Sequence, residues 1–543
     1  MKGGGGGGGG GDKLGRSKQP PELPRLRLLF VGVGCFLFFL VFLLSSRRDA
    51  TIISRTSRNF QVDVLPRQGE VKGEAGPKEP GRDAGGGATP GSDEPAPAAG
   101  AGEAAVRDNP GHVTATAQAS PPPHPPEHDK PDEKQQARQH DVASDASSGN
   151  RPPLCDLSDA RADVCYLAGD IRMDARASAF VVVDPAAGGA NGTATFKVRP
   201  YARKGDVTSM SRVTEVTVRA TADAAAAPRC TATHTSPAVV FSVSGYSGNI
   251  FHDFSDVLVP LYTTAQRYRG DVQLVLADAA SWWLAKYGAL VRELSRHAPL
   301  DLAAAGAGGE VHCFRHAVVG LRAHRELIIE PARSPDGLAM PDFARFLRRA
   351  LSLPRDAPTR PGGGGGGGEA RRKPRLLVIS RRGTRLLLNT DAVVRAAEEV
   401  GFEVAVDGLD AAGDIAPVAR LVNSFDAMVG VHGAGLTNMV FLPPAATVVQ
   451  IVPWGGLRWI ARLDFGDPAE AAGLRYVQYE VAVEESTLKD KYPRDSEIFA
   501  NPTALHKKGF TFMRHTFLNG QDIIVDVDRF RAVLVQAFKN LTK

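Results

Sequence analysis

From Arg375 onward the sequence alternates short, largely apolar runs with segments of helical period, and this alternation constrains the fold more than any other feature. "RLLVIS" (375–380) precedes a helical pattern over 391–401, "FEVAVDGL" precedes one over 414–425, "AMVGVHG" precedes one over 434–442, and "TVVQIVPW" follows. A strand that is apolar on both faces has no side to turn to water. Such strands belong in sheets covered on both faces, as parallel strands joined by crossover helices are. An earlier series has the same character: "AVVFSVS" (238–244) leads into a helix near 249–268, and "DVQLVLAD" (271–278) leads into "WWLAKYGALVRELS". Between the two series stands the low-complexity break "PTRPGGGGGGGEARRKP" (358–374). The reading is a bilobed α/β protein: an N-terminal lobe over 151–357, a linker over 358–374 and a second lobe over 375–543. Parallel sheets are expected in both lobes, with a cleft where the strand C-termini face each other.

The segments before residue 151 are of another kind. Leu28 to Leu44, "LLFVGVGCFLFFLVFLL", carries no charge. As a helix it spans about 26 Å, short of a ~30 Å hydrocarbon core but close to the thinner early secretory membranes. Arg47 and Arg48 follow it in place of a small-x-small cleavage site, so a membrane anchor fits better than a cleaved signal peptide. Lys2, Lys13, Arg16, Lys18, Arg25 and Arg27 precede the span, against Arg47, Arg48, Arg55 and Arg58 after it. That bias places the tail 1–27 in the cytosol and the rest in the lumen. Residues 45–150 are rich in Pro, Gly, Ala, Asp and His, with few aromatics. They cannot bury enough apolar area to offset a backbone entropy of about 1–2 kcal/mol per residue, and read as a disordered stalk. The stalk histidines fit a solvated linker better than a metal site.

A lumenal location frames the remaining counts. Asn191-Gly192-Thr193 and Asn540-Leu541-Thr542 are glycosylation sequons. Cys155, Cys165, Cys230 and Cys313 are an even number in an oxidising compartment, and Cys35 lies in the span. Four cysteines allow three pairings; Cys155 with Cys165 is the local expectation. With no CxxC spacing, zinc is not expected. The formal charge of +5 over 543 residues is too small to suggest a nucleic-acid binder.

Three constellations could carry chemistry. In "GNIFHDFSDVLVPLY" (248–262), a helix at about 100° per residue gathers Asn249, His252, Asp253 and Asp256 on one arc, opposite Ile250, Phe254, Val257 and Leu261. His252 and Asp256 are i,i+4 neighbours, and a carboxylate orienting an imidazole makes a general base; a solvated helix face is the alternative. In "LLVISRRGTR" (376–385) a buried strand ends in Ser380, Arg381 and Arg382, with Arg385 beyond. Arginine forks grip phosphate in pairs of hydrogen bonds, although a basic surface turn has the same composition. In "VGVHGAGLTNMVFLPP" (429–444), His432 ends an apolar strand, and Gly433 and Gly435 allow close backbone approach before a helix whose first N–H groups suit a diphosphate. A tight strand–helix turn, or a core histidine, is the plainer reading. The single Asp-x-Asp triplet, Asp526-Val527-Asp528, is better explained as a helix N-terminal acid pair than as a metal site.

Taken in order, "GNIFHDFSD", "VISRRGTR" and "MVGVHGAGLTNMVFLPPAATVVQIVPWG" resemble glycosyltransferase family 61, and "CDLSDARADVCYLAGDIR" (155–172) resembles the corresponding segment of its plant members. The grass xylan arabinosyl- and xylosyltransferases are the nearest likeness, over roughly residues 150 to 540. The resemblance implies a GT-B-type fold of two Rossmann-like lobes and an inverting enzyme of the Golgi lumen, anchored as a single-pass type II protein. It implies a UDP-pentose donor, a xylan acceptor, and no metal or other cofactor. Carried over by position, Ser380, Arg381, Arg382, His432, Gly433, Ala434, Gly435, Leu436 and Asn438 would hold the UDP diphosphate. His252 would be the base, oriented by Asp256 or Asp253, with Asn249 facing a sugar. A non-catalytic relative that scaffolds other xylan glycosyltransferases in a Golgi synthase complex is the alternative. The glycine tract at 362–368 and the alanine-rich segment 220–227 depart from the family pattern.

Overall fold

The computed structural model describes residues 154–185, 195–361, 372–410 and 413–542, all within one compact unit. The expected tail, anchor and stalk, the Asn191 sequon and most of the linker lie outside these residues. No helix among the described residues is long and apolar enough to cross a membrane.

The N-terminal half departs from the expected parallel sheet. It forms a ten-stranded mixed sheet from β1 (Cys155–Asp156), β2 (Val164–Asp174), β3 (Ala179–Val183), β4 (Thr195–Val198), β5 (Val216–Thr221), β6 (Ala232–Thr233), β7 (Ala238–Phe241), β8 (Gln273–Leu276), β9 (Leu300–Asp301) and β10 (Val311–Val319). The order is β4-β5-β3-β2-β10-β7-β8-β9, with β1 on β2 and β6 on β10. Only the flank β10-β7-β8-β9 is parallel throughout; β2 runs antiparallel to both β3 and β10. The physical reason is in β2 itself. "VCYLAGDIRMD" mixes buried and exposed positions along the strand, as a sheet with one wetter face does. Two disulfides bind this half together. Cys155–Cys165 joins facing residues of β1 and β2, the pair expected locally, and Cys230–Cys313 ties the approach to β6 onto β10.

The second half follows the expected pattern. β11 (Arg375–Ile379), β12 (Glu403–Asp407), β13 (Ala427–Val431), β14 (Thr447–Val452) and β15 (Arg475–Glu480) are all parallel, in the order β12-β11-β13-β14-β15. From β11 the chain crosses outward to β12 and then returns past β11 to β13. The strand order therefore reverses between β11 and β13, and the C-terminal ends at such a reversal open a crevice where ligands dock. The loops carrying Ser380 and His432 leave the sheet at those two strand ends.

Three local features differ from the helical expectations. The segment over 434–442 is a 3-10 helix, Ala434–Phe441, not an α-helix. It is packed tightly: a Cβ on Gly435 would lie 3.2 Å from Ile379 Cγ2. The helix from Ile250 begins as α, passes through a π segment at Asp253–Leu258, and resumes as α at Val259–Ala265. The π segment adds a residue to the turn and breaks the 100° ruler on which the polar arc was drawn. The Asn540 side chain, read from the sequence as a glycosylation acceptor, is buried at the end of the Val527–Asn540 helix and accepts from Gln536 Nε2 (2.8 Å). At the other end of that helix Asp526 is the N-cap, accepting from the N–H groups of Asp528 and Arg529, which is the explanation anticipated for the Asp-x-Asp triplet. One apolar core runs from sheet to sheet: Phe254 packs on Phe343 (6.3 Å between ring centres) and on Phe441 (5.7 Å).

Candidate active site

The reversal between β11 and β13 opens into a cavity of about 540 Å³. Ser380, Arg381, Arg382 and Arg385 line one side, Ala434 and Gly435 another, and Gly408 to Asp410, after β12, a third. The two basic and glycine-rich loops thus share one chamber. Arg381 Nε donates to Thr384 O (3.1 Å), and its guanidinium lies over Gly433, where a Cβ would come within 2.3 Å of Nη1. Gly433 also has φ +147°, a conformation L side chains rarely adopt. Both facts explain why a glycine follows His432. Arg382 is exposed and stands 3.8 Å from Asp410. Leu436 and Asn438, assigned to the same cradle, do not line the cavity. Leu436 is buried beside Gly430, and Asn438 Nδ2 donates to Gly435 O (3.0 Å), holding the loop in shape.

His432 is buried behind this chamber. Gln450 Nε2 donates to its Nδ1 (2.8 Å), and Gln450 Oε1 accepts from Tyr476 OH (2.7 Å). Burial, reinforced by Arg385 and Arg381, holds the imidazole well below its usual pKa, so it is neutral with its proton on Nε2. That nitrogen is 3.9 Å from Asp464 Oδ2. Burial and the charge of Glu326 push the Asp464 carboxyl well above the usual carboxylate range.

The second histidine belongs to the other half. His252, Asp253 and Asp256 are all wholly buried, not the cleft-facing arc that helical spacing drew. His252 Nδ1 donates to Asp256 Oδ2 (2.8 Å). Arg203 grips the same carboxylate through Nε (2.7 Å) and Nη2 (2.8 Å), and Tyr201 OH donates to it (3.1 Å). Arg161 joins Asp256 (3.4 Å) to Glu326 (2.7 Å). Burial would raise both carboxylates, but the two arginines and His252 outweigh it. Asp256 lies far below its usual range, and Glu326 is held at about 2. An ionised Asp256 fixes the Nδ1 proton and leaves the Nε2 lone pair of His252 as the basic site. That Nε2 is buried and has no hydrogen-bond partner among the described residues.

Asp253 and Asn249 do other work than expected. Asp253 turns away from His252 and accepts from Gly248 N (3.0 Å), Trp283 Nε1 (3.2 Å) and Tyr287 OH (2.8 Å). Asn249 caps the helix, accepting from Phe251 N (3.0 Å). Tyr201, Arg203 and Glu326 escaped the sequence reading because each lies in irregular chain with no periodic signal; Asp464 sits in a short π segment, Arg462–Gly466, and Arg161 within the 155–172 stretch, neither marked by a pattern of its own. The two histidines do approach a common point: the ring of Phe465 packs on His432 (5.5 Å) and on Phe251 (5.6 Å), beside His252.

An arginine-lined chamber at a strand-order reversal, with a buried imidazole–carboxylate pair in the facing half, defines an α/β protein equipped to move a group from an anionic donor. The comparisons make this specific. A family model described as Glycosyltransferase 61 matches residues 250–449. The alpha-1,3-arabinosyltransferase XAT3 of Oryza sativa subsp. japonica is 47% identical over 414 residues, 76% of this chain and 69% of that protein. The beta-1,2-xylosyltransferase XYXT1 of the same organism is 43% identical over 397 residues, 70% of this chain and 83% of that protein. The chain belongs to glycosyltransferase family 61 and is a glycosyltransferase.

Proposed function

We propose that this chain transfers a pentose, arabinofuranose or xylose, from a UDP-sugar to xylan, with inversion, as a GT-B-type enzyme of the Golgi lumen on a single N-terminal anchor. The observation that carries the donor side is the convergence of the Arg381 loop and the Gly433–Gly435 loop on one cavity of about 540 Å³. Guanidinium groups and backbone N–H groups at the strand ends suit a diphosphate. The names of similar proteins support the sugar and the acceptor: arabinosyltransferases at 46–47% identity, xylosyltransferases at 43–44%, and a xylan glycosyltransferase of Arabidopsis thaliana at 34%.

In this reading a xylosyl hydroxyl gives its proton to His252 Nε2 as its oxygen attacks the anomeric carbon. The bond from that carbon to the UDP oxygen breaks on the opposite face, so configuration inverts. Charge gathering on the leaving UDP is met by Arg381 and the 434–435 backbone. Asp256 steadies the imidazolium that forms. The second reading is a non-catalytic chain that scaffolds other xylan glycosyltransferases, and the complete burial of His252 is the observation that favours it. One experiment separates the two. Incubate the full chain with UDP-arabinofuranose or UDP-xylose and xylohexaose, with EDTA present, and determine the product linkage by NMR. Catalysis predicts UDP release coupled to a substituted xylohexaose, whereas a scaffold binds xylan and releases no UDP.

A further inference from the structure

A tryptophan at the solvent edge of a fold needs a reason, because its ring offers the largest apolar face of any side chain. The Ser281–Leu294 helix starts with two of them. Trp283 is wholly buried against Phe241 and donates to Asp253. Its neighbour Trp282 points elsewhere, as consecutive helical positions must. Trp282 is 47% exposed. Since Trp283 is pinned, the exposure of Trp282 is built into the helix start and is not a fluctuation. Its ring edge passes 3.7 Å from where a Cβ on Gly248 would stand, at φ +106°, so the loop before His252 runs close beneath it.

Trp282 borders a cavity of about 460 Å³, within the range of small-molecule sites. The cavity lies at the C-terminal ends of the parallel strands β7, β8 and β9, formed by residues over 243–247, 277–282 and 301–303 where the chain passes from strand to helix. Like the arginine chamber it lies at the C-terminal ends of parallel strands, here beside the β7–β10 reversal and not at it. The linings differ in charge. Among the described residues Asp278, Asp301, Thr214, Ser244 and Ser247 line the Trp282 cavity, while the nearby Arg212 is turned to Gly245 O (3.2 Å) and the Tyr246 ring. Asp278 is held by Thr214 and by Ser242 Oγ (2.6 Å), which sets an acidic wall, and Ser247 Oγ is buried without a partner among the described residues. A neutral ring with hydroxyls at its rim and C–H bonds on its face is matched: the face lies on the indole and the hydroxyls meet the oxygens. Between the lining residues Gly245 and Ser247 stands Tyr246, whose ring is 5.0 Å from that of His252.

We propose that Trp282 and this cavity form a neutral-sugar subsite that holds a backbone residue of the acceptor glycan next to the one substituted. The proposal rests on the xylan reading above for the identity of that glycan. Trp282 serves binding, not the proton transfer. The test measures acceptor binding and transfer by the full chain with Trp282→Ala and Trp282→Phe. Trp282→Ala raises the Kd and KM for xylohexaose about five- to tenfold, with kcat and UDP affinity within about twofold of the parent, because one stacking contact is lost. Trp282→Phe recovers most of the affinity. If Trp282→Ala binds xylohexaose as the parent does, the subsite is wrong and the xylan reading stands. If the affinity lost is for UDP, Trp282 holds a nucleobase and the proposal is overturned. If the parent binds another β-glycan in place of xylohexaose and Trp282→Ala loses it, the subsite stands and the xylan reading falls.

Discussion

Gly433→Ala is the smallest change that tests how the donor chamber is built. The new methyl would stand 2.3 Å from Arg381 Nη1, 3.0 Å from Cζ and 3.2 Å from Nη2, all inside the ~3.5 Å of ordinary contact. The guanidinium is the part that can give way, so it moves off the loop, and its Nε loses its bond to Thr384 O. A φ of +147° adds strain of about 1–3 kcal/mol to the folded state. Losing one charge-assisted hydrogen bond to the diphosphate is worth about 1.5–3 kcal/mol, a weakening of UDP by roughly 10- to 100-fold. Calorimetric titration with UDP reads the second effect and thermal unfolding the first. The two substitutions also form a cycle. In an Arg381→Ala background the methyl has no guanidinium to displace, so adding Gly433→Ala weakens UDP no further. Unchanged UDP affinity in Gly433→Ala, or losses that simply add in the double variant, would refute the reasoning.

Three other predictions concern the buried charges. Asp256 and Glu326 are depressed in the folded state, so the stability they contribute is present above their unfolded values near ~4 and is lost as pH falls toward their folded ones. Unfolding free energy, followed by urea titration, is expected to fall steadily between about pH 4 and 2 as these two carboxylates take up protons. Arg203→Met leaves Asp256 buried without its main partner and lowers stability at neutral pH by about 3–5 kcal/mol. Asp253→Ala strands two buried donors, Trp283 Nε1 and Tyr287 OH, and lowers stability by about 1–3 kcal/mol. With the His252–Asp256 bond intact, the pH profile of its kcat stays that of the parent; a displaced profile would return Asp253 to the role the helical arc assigned it.

What could be read in advance follows from how each residue is held. Strands β7, β8, β11, β13 and β14 were legible because their apolar runs admit one environment, and β12, a half-exposed edge strand, by its place in the alternation. The meeting of the Arg381 and Gly433 loops followed from the alternation that puts both at parallel strand ends. β2 was not legible, because "VCYLAGDIRMD" mixes polar and apolar residues and its partners β3 and β10 are chosen by long-range pairing. β15 was missed because most of its residues are only half-buried. Helical spacing placed His252 beside Asp256, where they touch, but also drew Asp253 and Asn249 into the arc. The π segment and the cap geometry removed them, and neither has a pattern of its own. Arg161, Arg203 and Glu326 meet at Asp256 from well-separated places in the chain, so tertiary contact alone selects them.

The central claim is that His252 Nε2 takes the acceptor proton. The direct measurement is the initial rate of pentosyl transfer to xylohexaose by His252→Ala, with both substrates saturating and the binding of each verified. The account predicts a fall of about 100-fold or more, the range of general-base catalysis, with UDP and xylohexaose still bound. A variant that keeps more than about a tenth of the parent rate would contradict it, since a loss that small is below what removing the base must produce.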